Sequence, residues 1–221
     1  MSTETILSAM PSLSASDLAR ASRYVRDGRI LVVPTDTVYG IGCAADHPEA
    51  VAAVLAAKGR GRQMPPPVRV ASADAIDSLC VDVPDYARRL ARAFWPGGLT
   101  LILKARPDLG WDLGETGGTI GVRMPAQEAL LALLTDVGPM AVTSANLTGQ
   151  PPATSVEQAL GYFGTHVGAY LDAGPTKGST ASSIVDCAHG TPRVIRLGTI
   201  SLDDLSQAAG VSIDAPQGGN A

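Results

Sequence analysis

Apolar residues fall along the chain in short runs that switch repeatedly between helical spacing and strand-like continuity. Leu18, Tyr24 and Val25 share a helical face behind Ser16-Asp17 and end at Gly28, which predicts a capped first helix with a glycine exit. Residues 29–33 (RILVV) read as a short buried strand stopped by Pro34. Helix returns over 48–58, with Pro48 suited to the first helical position and Gly59 to the exit. Residues 68–71 predict a strand, and Ser72 caps a short helix running through Leu79. Over 84–94, Tyr86, Leu90 and Phe94 oppose Arg88, Arg89 and Arg92, the pattern of an amphipathic helix. Trp95-Pro96-Gly97-Gly98 predicts a turn, and 99–104 (LTLILK) a strand. Further strands are predicted at 119–123, 140–143, 169–172, 182–186 and 193–196, with helices at 127–135, 156–162 and 202–208. This alternation predicts an α/β protein with helices packed on a mixed sheet. A single domain is expected, with its core over about 14–209 and a flexible tail over 210–221.

The 221 residues are long enough to bury a substantial core, and the low aromatic content of 4% assigns that core to Ala, Val, Leu and Ile. No apolar stretch approaches the roughly 20 residues that span a bilayer, and residues 1–11 lack the basic start and apolar run of a secretory signal. A cytoplasmic protein without membrane contact is the expectation. Cys43, Cys80 and Cys187 are odd in number and far apart, which argues against a disulfide framework. With His47, His166 and His189 they show no zinc-ligand spacing, and no metal site built from side chains is expected. The net charge of -4 argues against a protein that coats nucleic acid.

Against that acidic balance, 58–69 (KGRGRQMPPPVR) holds four cations and no acid. Its glycines and prolines predict an irregular segment that begins where a helix ends. Cations packed so closely repel one another unless an anion meets them, so the residue types admit either a solvated basic loop or a phosphate site. Three polar turns follow apolar strands: 34–40 (PTDTVYG), read as a strand end before a glycine turn, 143–149 (TSANLTG) and 174–183 (GPTKGSTASS). The two hydroxyls and the carboxylate of the first can fix a small polar ligand, although ordinary turn capping by Thr and Asp fits equally; small residues in the other two let backbone N–H groups approach a phosphate. Arg123 and Arg196 each close a strand, where a guanidinium can fork onto a carboxylate or phosphate or pair with a structural acid. The chain has no Walker or dinucleotide glycine motif, no G-x-S-x-G elbow and no H-E-x-x-H. Thr, Ser, Asn, Lys and Arg hold anions better than they move protons near neutral pH. Such a set suits a reaction governed by positioning and charge stabilisation, as in attack on phosphorus.

Seven blocks carry a resemblance: PTDTVYG at 34–40, AKGRGR at 57–62, FWPGGLTLIL at 94–103, GVRMP at 121–125, TSANLTG at 143–149, ASSIVD at 181–186 and VIRLG ending at 198. In this order, over about 30–198, the chain resembles the YrdC-type threonylcarbamoyl-AMP synthases. Its length is similar to the short single-domain form, and the GRGR wording to actinobacterial members. The resemblance implies a twisted mixed sheet with a large, locally basic concave cavity. It implies a nucleotidyltransferase that joins L-threonine, bicarbonate or CO2, and ATP carrying Mg2+ into L-threonylcarbamoyladenylate and pyrophosphate. A partner complex would then pass the group to adenosine 37 of tRNA, the t6A modification. Residue by residue, it implies that Thr35, Arg123, Ser144 and Ser182 contact threonine. Lys58, Arg60, Arg62, Asn146 and Arg196 would contact ATP, with Lys58 and Arg60 as the catalytic pair.

The chain departs from the family pattern at three places. Met64-Pro65-Pro66-Pro67-Val68-Arg69 stands where the family often has Asn-Pro-Leu and then histidine, Gln127-Glu128 where His-Pro is usual, and Arg196-Leu197-Gly198 where Arg-Pro-Gly is usual. The first departure puts one more cation near the implied cavity. Two other readings compete: a carbamoyladenylate-forming domain of the hydrogenase-maturation type, which shares the fold, and a double-stranded RNA or tRNA-binding module without synthase activity. The zinc-type cysteine pairs of the former are missing from this chain.

Overall fold

The computed structural model describes residues 5–10 and 12–216. Its strands are β1 (Ile6–Ser8), β2 (Leu31–Val33), β3 (Gly40–Ala44), β4 (Val68–Arg69), β5 (Leu99–Lys104), β6 (Thr119–Arg123), β7 (Met140–Ser144), β8 (Ala169–Asp172), β9 (Ser183–Asp186) and β10 (Arg193–Arg196). Its helices are α1 (Ala15–Arg26), α2 (Pro48–Ala57), α3 (Ala75–Leu79), α4 (Asp85–Phe94), α5 (Glu128–Val137), α6 (Val156–Phe163) and α7 (Leu202–Ala209). The strands form one mixed sheet in the order β1-β8-β2-β3-β7-β4-β6-β5-β9-β10. This is the α/β architecture that the alternating pattern predicts. No helix among the described residues is long and apolar enough to cross a membrane.

Period-two alternation along the strands sends neighbouring residues to opposite faces. Val32, Ile41, Val68, Leu99, Leu101, Val122 and Val185 enter one apolar cluster, which α2, α3, α4, α6 and α7 cover. Leu31, Val33, Met140 and Val142 enter a second, under α1 and α5. That second cluster draws its strand residues from β1, β8, β2, β3 and β7 and stops there. On the same face the remaining strands present Arg69 (β4), Arg123 (β6), Thr100 (β5) and Ile184 (β9) to a cavity instead. The helices thus leave half of one sheet face for binding.

Several boundaries differ from those expected, each for a local reason. The cap of α1 is Ser14, whose Oγ accepts from Asp17 N at 3.1 Å, so the helix starts before Ser16. Residues 40–44 (GIGCA) form β3 rather than a glycine turn. The glycines there serve close strand approach: a Cβ on Gly42 would lie 2.5 Å from Ala141 O and 2.6 Å from a Val142 methyl. The short β1 adds to the sheet edge by parallel pairing with β8, a long-range contact with no local signal in the sequence. The segment expected as a tail from 210 begins as fixed chain. Ile213 is buried, Asp214 O accepts from Val194 N at 2.8 Å, and Gly210 closes α7 in the left-handed conformation. Residues 217–221 of that expected tail lie outside the described residues.

Because β3 and β7 meet without room for a methyl, Gly42→Ala is expected to destabilise the protein by about 1–3 kcal/mol through overpacking. Urea denaturation checks this, and an unchanged midpoint would contradict the close approach.

Candidate active site

A cavity of about 250 Å³ opens over the uncovered sheet face. Its wall is assembled from the turn after β2, the loop after α2, the inward residues of β4, β5, β6 and β9, and the ends of β7 and β10. Thr35, Arg60, Arg123, Ser144, Ser182 and Arg196, all expected at the site, line it together with Thr37, Arg69, Thr100 and Thr143. Among the described residues, no aspartate or glutamate lines it. Four guanidiniums and a set of hydroxyls therefore face one small volume, the composition of an anion site.

The arginines differ in how they are held. Arg123 is tied down: Nε donates to Gly97 O at 2.9 Å, one terminal nitrogen to Thr37 Oγ1 at 3.2 Å and the other to Asp36 Oδ1 at 2.7 Å. Asp36 Oδ1 also accepts from Ala126 N at 3.0 Å, so this carboxylate clamps the turn after β2 to the end of β6. Burial lowers the affinity of Arg123 for its proton, and Asp36 opposes that effect. Arg60 donates to Thr143 Oγ1 at 3.2 Å and keeps a buried Nε without a protein partner. Arg69 is buried with both Nε and one terminal nitrogen unpartnered. Burial pushes its proton affinity well below the ordinary value, and the charges of Arg123 and Arg196 push it further against the opposing pull of Asp36. Arg196, at the exposed rim, gives Nε and one terminal nitrogen to Ser182 O at 3.0 and 2.9 Å. Gly198 makes this approach feasible, since a Cβ there would lie 2.4 Å from the Ser182 carbonyl carbon. Leucine at 197 leaves the turn intact because Gly198 N still donates to Ser183 Oγ at 3.0 Å.

Hydroxyls complete the wall. Thr35 Oγ1 donates to Val38 O at 2.6 Å and accepts from Thr37 N at 3.1 Å, so it builds the turn while facing the cavity. Ser182 Oγ and Thr100 Oγ1 lie 3.1 Å apart and bridge the end of the 174–182 loop to β5.

Three expected residues stand elsewhere. Lys58 is buried behind the wall, and its ammonium donates to Ser144 O, to Asn146 O at 2.6 Å and to Asn146 Oδ1 at 3.1 Å. All three of its N–H groups are thereby engaged. Asn146 is equally committed, its Nδ2 donating to Leu147 O at 2.9 Å and Gln150 O at 2.8 Å. Both residues shape the loop behind Ser144 rather than line the cavity. Arg62 points outward to a surface ion pair with Asp112 at 2.7 Å. The divergence has a backbone cause: Gly59 follows α2 with φ +62° and reverses the chain, so cations two residues apart face different elements. Arg69, expected only as one more cation near the cavity, lines it, and Thr100 and Thr143 were not named as site residues. The available signal was a cation flanked by Val68 and Val70 in an otherwise apolar strand.

Burial, and then the Arg60 charge, pushes Lys58 from its ordinary 10.5 down to about 7. Above pH 7 the unfolded chain therefore holds a proton that the folded chain releases, and stability rises with pH. Burial pushes Cys43, Cys80 and Cys187 from 9.0 up to about 12. Above pH 9 the unfolded chain loses protons that the folded chain keeps, so stability falls. Denaturation midpoints should peak between these limbs. Lys58→Met leaves three acceptors without their donor. It should cost about 1–3 kcal/mol and abolish the rising limb; a wild-type profile in the variant would contradict the assignment.

The model of the Sua5, YciO and YrdC protein family, described as "Telomere recombination", matches residues 23–198. The chain is 49% identical over 201 residues to a Mycobacterium leprae protein provisionally named threonylcarbamoyl-AMP synthase, with 91% of each chain covered. It is 34% identical over 203 residues to the threonylcarbamoyl-AMP synthase of Bacillus subtilis strain 168, covering 90% of this chain and 58% of that one. The solved structure of Pyrococcus abyssi Sua5 complexed with L-threonine matches with a TM-score of 0.88 at 29% identity, over 96% of this chain and 62% of that one. The mycobacterial protein is thus matched nearly end to end, whereas the other two extend well beyond the shared region. With the seven blocks and the cavity they surround, these matches place the chain in the Sua5/YciO/YrdC family.

Proposed function

We propose that this protein is an L-threonylcarbamoyladenylate synthase, forming threonylcarbamoyl-AMP for the t6A modification of tRNA. The observation that carries the reading is the convergence of Arg60, Arg69, Arg123 and Arg196 on a cavity without a carboxylate in its wall. It accords with the names of the relatives and with the threonine bound to the Pyrococcus protein.

The chemistry follows from the charges. The amine of threonine adds CO2 and loses a proton to give a carbamate, whose oxygen attacks the α-phosphorus of ATP as pyrophosphate leaves. Nucleophile and target are both anionic, so their repulsion is the first barrier. Preorganised guanidiniums in a partly desolvated cavity lower that barrier and stabilise the charge that develops on the phosphoryl oxygens. Arg60 and Arg196, toward the opening, are placed for the phosphates. Ser144 and Ser182 supply hydroxyls between them and the floor. Mg2+ enters as part of the ATP substrate, because the carboxylate beside the cavity, Asp36, is already held by Arg123 and Ala126 N. Lys58 acts indirectly, by holding the loop that positions Ser144.

The product is a reactive mixed anhydride of a carbamate and a phosphate. A protein complex that transfers the group to tRNA is its natural consumer in a cytoplasmic setting.

Incubating the protein with ATP, Mg2+, bicarbonate and L-threonine should yield threonylcarbamoyl-AMP and pyrophosphate by mass spectrometry. Absence of that product from folded protein would contradict the proposal. Arg60→Ala should lower kcat by roughly 100-fold or more, with the fold retained by circular dichroism.

A further inference from the structure

The polar loops 34–40, 143–149 and 174–183 converge on one residue outside the arginine set, Tyr39. It closes the first loop and is buried, with its ring in the larger apolar cluster. Its backbone holds the second loop. Tyr39 O accepts from Ala145 N at 2.8 Å, Tyr39 N donates to Ala153 O at 2.9 Å, and Ala153 N donates to Ala145 O at 2.9 Å. Its hydroxyl holds the third, donating to Gly174 O at 2.6 Å and accepting from Ala173 N at 3.1 Å. Burial, opposed by the Ala173 N–H and helped by the charges of Asp172 and Glu157, pushes the phenol from 10.0 up to about 12, so it remains a donor near neutral pH. Two further bonds complete the tie: Gly174 N donates to Asp172 Oδ1 at 2.9 Å, and Thr176 N to Thr154 O at 2.8 Å. Residues 177–180 are then exposed. The loop is next fixed where Ser182 O accepts from Arg196 and Ser183 N donates to Gly98 O at 2.9 Å.

We propose that Tyr39 is a positioning residue for the adenylation step. Through its hydroxyl it fixes the start of the 174–183 loop, and with it the placement of Ser182 and Arg196 relative to Ser144 and the 34–40 turn. The inference rests on the synthase reading above. The one polar atom of the side chain is engaged with two main-chain groups, so its effect on the reaction passes through the loops it joins. The cations that face the substrates are held independently of it, Arg123 by Gly97 O and Asp36, and Arg60 by Thr143. Loss of the hydroxyl therefore leaves substrate binding in place. What it disturbs is the alignment of the carbamate oxygen with the α-phosphorus, where small displacements cost large factors in rate.

Tyr39→Phe keeps the ring in the core and removes both hydroxyl bonds. Its kcat should fall roughly 10- to 100-fold, with the KM values for L-threonine and ATP unchanged, the pattern of an interaction felt only in the transition state. Limited trypsin digestion reads the loop directly. Cleavage after Lys177, in the exposed stretch, should accelerate in the variant, while cleavage elsewhere in the chain keeps its wild-type rate. An unchanged kcat, a loss confined to KM, or an unchanged rate at Lys177 would overturn the assignment. So would cleavage that accelerates throughout the chain, because Tyr39 would then serve stability alone. If Tyr39→Phe does not fold, Asp172→Ala removes the acceptor of Gly174 N at the same turn. Wild-type kcat or wild-type cleavage at Lys177 in that variant overturns the assignment equally. Absence of product from the wild type would refute the synthase reading, while the digestion still decides whether Tyr39 holds the loop.

Discussion

Mutual repulsion among four arginines is the constraint on which the rest of this structure depends. Arg60, Arg69, Arg123 and Arg196 face one cavity whose wall contains no acid, and each has its proton affinity lowered by desolvation. For Arg69 and Arg196 the neighbouring guanidiniums lower it further. Such an arrangement persists only when the surrounding scaffold is rigid enough to hold it. Two apolar clusters and a continuous mixed sheet supply that rigidity, and three of the four side chains project from strands. Functional sites commonly store unfavourable interactions of this kind, which a ligand of opposite charge relieves.

The polar groups immediately outside the cavity serve the same end. Asp36 neutralises Arg123 and joins two segments far apart in sequence. Ser183 Oγ accepts from Gly198 N at 3.0 Å and from Ile200 N at 3.2 Å, holding the turn after Arg196 against β9. Lys58 fills a comparable role under the 144–149 loop, where Thr148 N returns a hydrogen bond to Lys58 O at 3.0 Å. Charged residues thus act in two layers, one facing the ligand and one fixing the loops that carry the first.

Much of this was legible from residue order. Strand and helix positions followed from periodicity and from Gly and Pro punctuation, because these elements bury one face each. Residues 40–44 misled, since Gly40 and Gly42 weaken strand propensity locally while permitting a tertiary approach that sequence does not display. The cluster Thr35, Arg60, Arg123, Ser144, Ser182 and Arg196 came together as the motifs implied. Lys58 and Arg62 did not, because side-chain direction beyond Gly59 depends on a single positive φ and on partners 50 to 90 residues away. Arg69 was visible as one more cation near the implied cavity, and its placement beside Arg123 required the register between β4 and β6.

The central claim is that this ring of arginines is the binding site for an amino acid and a nucleotide engaged in one reaction. A crystal structure of the protein with L-threonine and a non-hydrolysable ATP analogue tests it most directly. The account predicts L-threonine at the buried end of the cavity, with the phosphates on Arg60 and Arg196 at its mouth. Ligands bound elsewhere, or a cavity left to solvent under saturating conditions, would contradict it.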